Sequence, residues 1–178
     1  MLTPLQMVHE FLSDISHDAV VVDATMGQGY DTVFLAKLSN HVFAFDVQEV
    51  ALVTTRQRLS DNELTAELIL DGHENLDLYI KQPVDAAIFN LGYLPQSDKS
   101  IITHGQTTLA ALTKLLALLV RGGRIGMMVY YGHDGGVEER DEVLAYVMAL
   151  PQNAYHVMRY GGINQAHQPP FALLIEKR

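Results

Sequence analysis

The sequence predicts an open, doubly wound α/β fold: a mostly parallel seven-stranded sheet with an antiparallel C-terminal hairpin, in one domain spanning residues 1–178. Three observations predict it. Short apolar strands alternate five times with helical stretches, which implies parallel strands with helices on both faces. Four of those strands end in an acid or amide, at Asp23, Asp46, Asp71 and Asn90. The last two strands are separated by a turn alone, which implies an antiparallel edge.

The elements follow in order. Pro4 to Ser13 reads as a helix that covers part of the sheet, within an N-terminal segment of residues 1–16. Ala19–Val22 is apolar and β-branched, and Asp31–Leu38 offers a partly apolar helical face through Val33, Phe34, Ala36 and Leu38. Val42–Phe45 is the second strand and Gln48–Leu59 the next helix; Leu68–Leu70 and Ala86–Phe89 are the third and fourth strands. Thr107–Val120 is a Leu- and Ala-rich helix that Gly122-Gly123 is expected to close. Ile125–Tyr131 is the fifth strand. Val137–Leu150 is a helix ended by Pro151, and Tyr155–Tyr160 and Phe171–Glu176 form the hairpin.

Composition narrows the function classes. The chain has 48% hydrophobic and 19% charged residues, which is ordinary for a globular domain. It has no cysteine, so disulfides and thiolate metal sites are excluded. Eight histidines form neither a His-x-x-x-His pair nor a His-Glu-x-x-His motif, and no metal is expected. No Gly-x-Ser-x-Gly elbow is present, which argues against a serine hydrolase. Met1–Leu12 lacks the pattern of a signal peptide, and Leu115–Val120 is too short to span a bilayer, so a cytoplasmic protein is expected. The net charge of −9 argues against broad adhesion to nucleic acid. A local basic patch remains open, with Arg121, Arg124, Arg159, Lys177 and Arg178 as candidates scattered in sequence.

The strand ends carry the chemistry. In Asp23-Ala24-Thr25-Met26-Gly27-Gln28-Gly29-Tyr30-Asp31 a strand feeds a glycine loop and then a helix. Glycines let backbone approach a ligand, and helix N-terminal amides favour an anion. Position 32 is Thr rather than a third glycine, which is poor spacing for a dinucleotide. An acid at the strand end suits a cationic amino group, so an amino-acid moiety such as methionine fits both ends; a plain turn competes equally. Asp46 stands 23 residues after Asp23, the distance of an acid that accepts ribose hydroxyls, with Gln48 beside it. It is also placed to cap the next helix. In Asp71-Gly72-His73-Glu74, Asp71 or His73 can meet an adenine edge, and Asp71 with Glu74 also has capping-box spacing.

The remaining loops offer a substrate side. Asn90-Leu91-Gly92-Tyr93-Leu94-Pro95 follows the fourth strand, at the end of the sheet where such folds bind ligands. Asn90 supplies an acceptor for a substrate nitrogen, and Tyr93 a ring for stacking. In Tyr130-Tyr131-Gly132-His133-Asp134-Gly135-Gly136, His133 is a candidate acid or base, although a loop histidine is more often merely solvated. Asn164 to Phe171 is a proline-stiffened turn, either a pocket wall or only a turn.

These motifs together resemble the class I S-adenosylmethionine-dependent methyltransferases. More narrowly, the chain resembles a small bacterial family labelled as rRNA methylases, whose members act as tRNA wobble-uridine methyltransferases. The match runs from His9-Glu10-Phe11-Leu12 to Ile175-Glu176-Lys177. Its marks are Asp23-Ala24-Thr25-x-Gly27-x-Gly29-x-Asp31-Thr32, Phe89 to Pro95, Tyr131-Gly132-His133 through Gly136 with Glu138-Glu139, and Asn164-Gln165 before Pro169-Pro170-Phe171. The family often has Asn where Gln28 stands, and more Asn where His167 and Gln168 stand; Gln28 keeps an amide, whereas the hairpin change leaves contacts there less fixed.

The resemblance implies S-adenosylmethionine as cofactor, with contacts at Asp23, Gly27, Gln28, Gly29, Asp31, Thr32, Asp46, Gln48, His73 and Glu74. Thr25, Asp71, Asn90 and Leu91 complete the expected cofactor set. The implied transfer centre lies beside Asn90, with Tyr93 and His133 as further catalytic candidates. Tyr93, Pro95, Tyr131, Asn164, Gln165 and Pro170 are the expected substrate-facing residues. The implied substrate is 5-aminomethyl-2-thiouridine in the anticodon region of tRNA. Methylation of rRNA or of a small metabolite, or cofactor binding without turnover, are the alternatives. A homodimer is one arrangement that would pool the scattered basic residues.

Overall fold

The structure, a computed structural model, describes residues 1–92 and 105–178. Its elements are α1 (Pro4–Leu12), β1 (Val20–Asp23), α2 (Tyr30–Leu38), β2 (His41–Asp46), α3 (Glu49–Asp61), β3 (Glu67–Leu70), a 3-10 helix (His73–Leu78), β4 (Val84–Leu91), α4 (Gly105–Leu118), β5 (Leu119–Val129), α5 (Gly136–Met148), β6 (Tyr155–Tyr160) and β7 (Phe171–Lys177). They form one seven-stranded sheet in the order β3-β2-β1-β4-β5-β7-β6. β1 to β5 pair in parallel; β7 runs antiparallel to both β5 and β6. The predicted fold class holds. The strand order reverses between β1 and β4, and this switch point puts a crevice over their carboxyl ends.

Alternation along each strand builds the two faces. Val22, Phe45, Ala87, Phe89, Met127, Leu173 and Ile175 point to one face, where Leu112, Leu115, Val143 and Val147 from α4 and α5 cover them. Val21, Val42, Ala86, Ile88, Met128 and Ala172 point to the other, covered by Val8 and Leu12 of α1 and Leu35 of α2. The central strands are apolar on both sides, as parallel strands between two helical layers require. Among the described residues, no helix is long and apolar enough to cross a membrane.

α1 forms because its start is fully capped. Thr3 Oγ1 accepts from Gln6 N–H at 3.2 Å, Gln6 Oε1 accepts from Thr3 N–H at 2.9 Å, and Pro4 sits at the first helical position. Arg124 in β5 then donates to the Phe11 carbonyl at 3.0 Å and ties the helix end to the sheet.

Two expectations change. Gly122-Gly123 does not end the preceding helix, because α4 stops at Leu118. The glycines lie where the β4–β5 pairing slips, since Val84 faces Leu119 while Ala86 faces Arg124. Gly122 has φ +79°, a left-handed conformation that serves a bulge as well as a helix stop. The capping-box spacing of Asp71 with Glu74 also yields no capping box, because the 3-10 helix that follows has Gly72 as its N-cap and no side-chain cap bond.

Gly126 tests how closely α1 docks. A Cβ there would lie 2.5 Å from Val8 Cγ1. Gly126→Ala is expected to cost about 1–3 kcal/mol, and Val8→Ala in the same chain to recover part of it. Urea unfolding of both single variants and the double variant checks this; additive effects would contradict the close approach.

Candidate functional site

The glycine loop is pinned on both sides. Ala24 N–H donates to the Ile88 carbonyl of β4 and Met26 N–H to the Phe45 carbonyl of β2, each at 2.9 Å. Gly27 (φ +54°) and Gly29 (φ +80°) turn the chain into α2. A Cβ on Gly29 would lie 2.5 Å from Thr55 Oγ1, so α3 packs against backbone here. Arg58 of α3 donates to the Gln28 carbonyl at 2.8 Å and lies 3.8 Å over the Tyr30 ring. Gly29, as N-cap, has no side chain to satisfy the first amides of α2.

Three carboxylates gather around this loop. Asp23 is wholly buried; it accepts from Thr25 N–H at 3.1 Å and from Thr32 Oγ1 at 2.6 Å. Burial first, and then the charges of Asp31 and Asp46, push its pKa up to about 7 against the two hydrogen bonds. Asp46 accepts from Gly27 N–H and Gln48 N–H, each at 2.9 Å. Burial raises its pKa as well. The helix cap at α3 is Gln48, so Asp46 shapes the turn before α3 and leaves its carboxylate at the loop. Asp31 lies 8% exposed on the first turn of α2. Its Oδ1 is 2.6 Å from His9 Nε2 and its Oδ2 accepts from Asn90 Nδ2.

Asn90 is fixed at three points. It pairs with Met128 in the β4–β5 ladder, its N–H donates to Thr25 Oγ1 at 2.6 Å, and its amide donates to Asp31. A carboxylate only accepts, so the amide nitrogen faces Asp31 and Oδ1 is turned away from it. The Leu91 carbonyl accepts from Tyr130 N–H at 3.2 Å and keeps a second lone pair.

The expected adenine side divides. Asp71 accepts from Gly72 N–H, Asn75 Nδ2 and Tyr79 OH at 2.7–2.8 Å, and the Asn75 and Tyr79 bonds lower its pKa. It therefore orders the 3-10 helix. His73 is buried with Nδ1 2.9 Å from the Ala24 carbonyl, and its Nε2 has no hydrogen-bond partner among the described residues. Burial lowers its pKa, so the ring is neutral and Nε2 presents a lone pair. The Glu74 carboxylate folds back over Gly72, where a Cβ would lie 2.3 Å from it.

On the other side of Asn90, His133 has Nε2 2.8 Å from the Tyr130 carbonyl and Nδ1 3.0 Å from the Asp134 carbonyl. Both nitrogens face loop carbonyls, which suits holding residues 130–136 in shape. The two tyrosines diverge. Tyr131 packs on Phe171 at 5.9 Å, with Arg140 4.7 Å over its ring. Tyr130 stays 40% exposed and close enough to Asp31 for that charge to help raise its pKa, after burial. Tyr130 and His9 are thus site neighbours that sequence spacing does not mark. Asn164 and Gln165 are exposed and 3.4 Å apart, and Pro170 is half-buried before β7. Their turn reaches the 130–136 loop through Gln168, whose Oε1 lies 3.7 Å from the Cβ position of Gly132. Tyr93 and Pro95 lie outside the described residues. Among the described residues no cluster suited to a metal ion occurs.

The basic candidates do not converge. Lys177 closes the end of α4 by donating to the Leu116 and Leu119 carbonyls at 3.0 and 2.8 Å. Arg124 serves α1, and Arg178 donates to the Gln152 carbonyl at 3.1 Å. Arg159 lies 4.0 Å over Phe171, at the crevice end of β7.

These residues fit a cation-bearing adenosyl amino acid. The raised Asp23 carboxyl gains from a nearby positive charge, Asp46 keeps lone pairs for sugar hydroxyls, and His73 Nε2 lacks a donor. The Asp23 carboxyl sets a stability signature. Between its unfolded value of 3.8 and its folded value of about 7, the folded chain binds the extra proton. Stability is therefore lost as pH rises through that window and stays low above it. Asp23→Asn is expected to be more stable than the natural chain at pH 8, by up to about 4 kcal/mol, with the gap closing towards pH 4. Urea unfolding across pH 4–8 checks this; parallel curves would contradict it.

The family model described as "Putative rRNA methylase" matches residues 42–176. A chloroplastic tRNA (mnm(5)s(2)U34)-methyltransferase of Arabidopsis thaliana is 33% identical over 172 residues; the match takes in 88% of this chain and 63% of that protein. A Streptococcus mutans protein described as a putative methyltransferase, solved in complex with SAH, superposes with TM-score 0.95 at 47% identity, covering 100% of this chain and 99% of that one. An rRNA methylase of Streptococcus thermophilus superposes with TM-score 0.88 at 47% identity, covering 99% and 98%. With the fold, the pinned glycine loop and these matches in hand, the chain belongs to the rRNA methylase family of class I methyltransferases.

Proposed function

We propose that this chain transfers a methyl group from S-adenosylmethionine to the 5-aminomethyl group of 5-aminomethyl-2-thiouridine at the tRNA wobble position. The observation that carries the chemistry is Asn90, locked at the switch point with its amide nitrogen on Asp31. The wobble-uridine methyltransferase at 33% identity supports the substrate, and the SAH complex of the Streptococcus mutans protein supports the cofactor.

When bound, S-adenosylmethionine supplies an electrophilic methyl group on a sulfonium. The loop at Gly27–Gly29 and the α2 amides hold the amino-acid tail, Asp46 the ribose, and His73 Nε2 accepts from the adenine side. Asn90 Oδ1 and the Leu91 carbonyl accept hydrogen bonds from the acceptor amine, which aims its lone pair at the methyl carbon. The amine must arrive uncharged, and its proton leaves to solvent. Alignment supplies the rate, because no covalent enzyme intermediate is needed. Tyr93 is assigned to stack on the thiouracil ring.

Asn90→Ala is expected to lower turnover roughly a hundredfold while cofactor affinity stays within about threefold. Full turnover in that variant, with normal cofactor binding, would contradict the assignment. Nucleoside mass spectrometry of a deletion strain tests the substrate. Accumulated 5-aminomethyl-2-thiouridine is expected. An unchanged tRNA profile with a missing rRNA methyl group would overturn the tRNA reading in favour of the one that the family description suggests.

A further inference from the structure

α1 reaches the crevice through His9. The ring lies flat on Phe34 of α2, with centroids 4.0 Å apart and planes 11° apart. Its Nε2 stands 2.6 Å from Asp31 Oδ1, and an ionised carboxylate only accepts, so Nε2 carries the proton. Asp31 Oδ2 receives Asn90 Nδ2. Each oxygen of one buried carboxylate therefore has its own donor, one from the N-terminal helix and one from the end of β4. Hydrogen bonds to a charged acceptor are short, strong and directional, so losing one lets the carboxylate turn about its Cβ–Cγ bond.

We propose that His9 is a positioning residue for methyl transfer. By donating to Asp31 Oδ1, it holds the carboxylate in the orientation that receives Asn90 Nδ2, and so fixes Asn90 Oδ1 for the acceptor amine. The proposal rests on the role given to Asn90 above. It also explains why a covering helix carries a histidine at this turn. Val8 and Leu12 dock α1 by apolar packing, and His9 adds the one-atom contact that packing cannot supply.

The two functions of the ring can be separated. His9→Phe keeps the stack on Phe34 and removes the donor. His9→Gln removes the stack and offers a carboxamide N–H to Asp31. With S-adenosylmethionine and tRNA bearing 5-aminomethyl-2-thiouridine, His9→Phe is expected to lower kcat about tenfold or more, with KM for the cofactor within about twofold. His9→Gln is expected to recover most of that loss. A packing role predicts the reverse order of the two variants. A second readout needs no substrate: the side-chain amide resonance of Asn90 in the free protein, assigned with Asn90→Asp. It is expected to move in His9→Phe and to hold its place in His9→Gln. An unmoved resonance in His9→Phe, or a His9→Gln as impaired as His9→Phe, overturns the proposal. A resonance that moves in His9→Phe alone, in a wild-type chain that does not methylate this tRNA, upholds the positioning and overturns the substrate reading.

Discussion

Negative charge concentrated at the ends of β1 and β2 is the constraint on which the rest of the structure depends. Asp23, Asp31 and Asp46 stand around one six-residue turn, and each raises the cost of ionising Asp23 or is itself costly to ionise. The chain offsets this locally. Thr25 and Thr32 serve Asp23, Gly27 and Gln48 serve Asp46, and His9 and Asn90 serve Asp31. Two hydrogen bonds do not restore Asp23 to an ordinary carboxylate, because full burial outweighs them. The crevice is therefore built to favour a positively charged guest.

That charge also explains the geometry of the loop. A turn between buried carboxylates needs backbone N–H groups aimed inward, and residues with side chains would obstruct them. Gly27 presents its N–H to Asp46, and Gly29 brings the chain against Thr55. The parallel strands supply the frame, since β1 lies between β2 and β4 and the loop is bonded to both neighbours. Asn90 extends the same frame one strand further, and its amide meets Asp31 beside the loop.

Much of this was legible in the sequence. The hairpin strand Tyr155–Tyr160 has the bounds expected from its flanking Pro and Gly residues, and the acid-ended strands mark the crevice because polar residues at strand ends break an apolar run abruptly. What was not legible depends on contacts between distant residues. Gly122 reads as a helix stop, and only the slipped register of β5 against β4 shows that it serves a bulge. Tyr130 and Tyr131 are neighbours of one type. The twofold alternation at the end of β5 sends one towards Asp31 and the other onto Phe171, and its phase is set by pairing with β7. His9 lies 22 residues from Asp31, on a helix whose apolar face alone declares its purpose. The 3-10 helix after Asp71 has no apolar period and is ordered by Asp71 itself.

If the crevice awaits a cation, binding must change the protonation of Asp23. Titration calorimetry of S-adenosylmethionine near pH 6.5, repeated in buffers of different ionisation enthalpy, measures protons exchanged on binding. Release of a fraction of a proton per site is expected, and Asp23→Asn is expected to abolish the release while still binding. Binding without proton release in the natural chain, or no binding at all, would contradict that expectation.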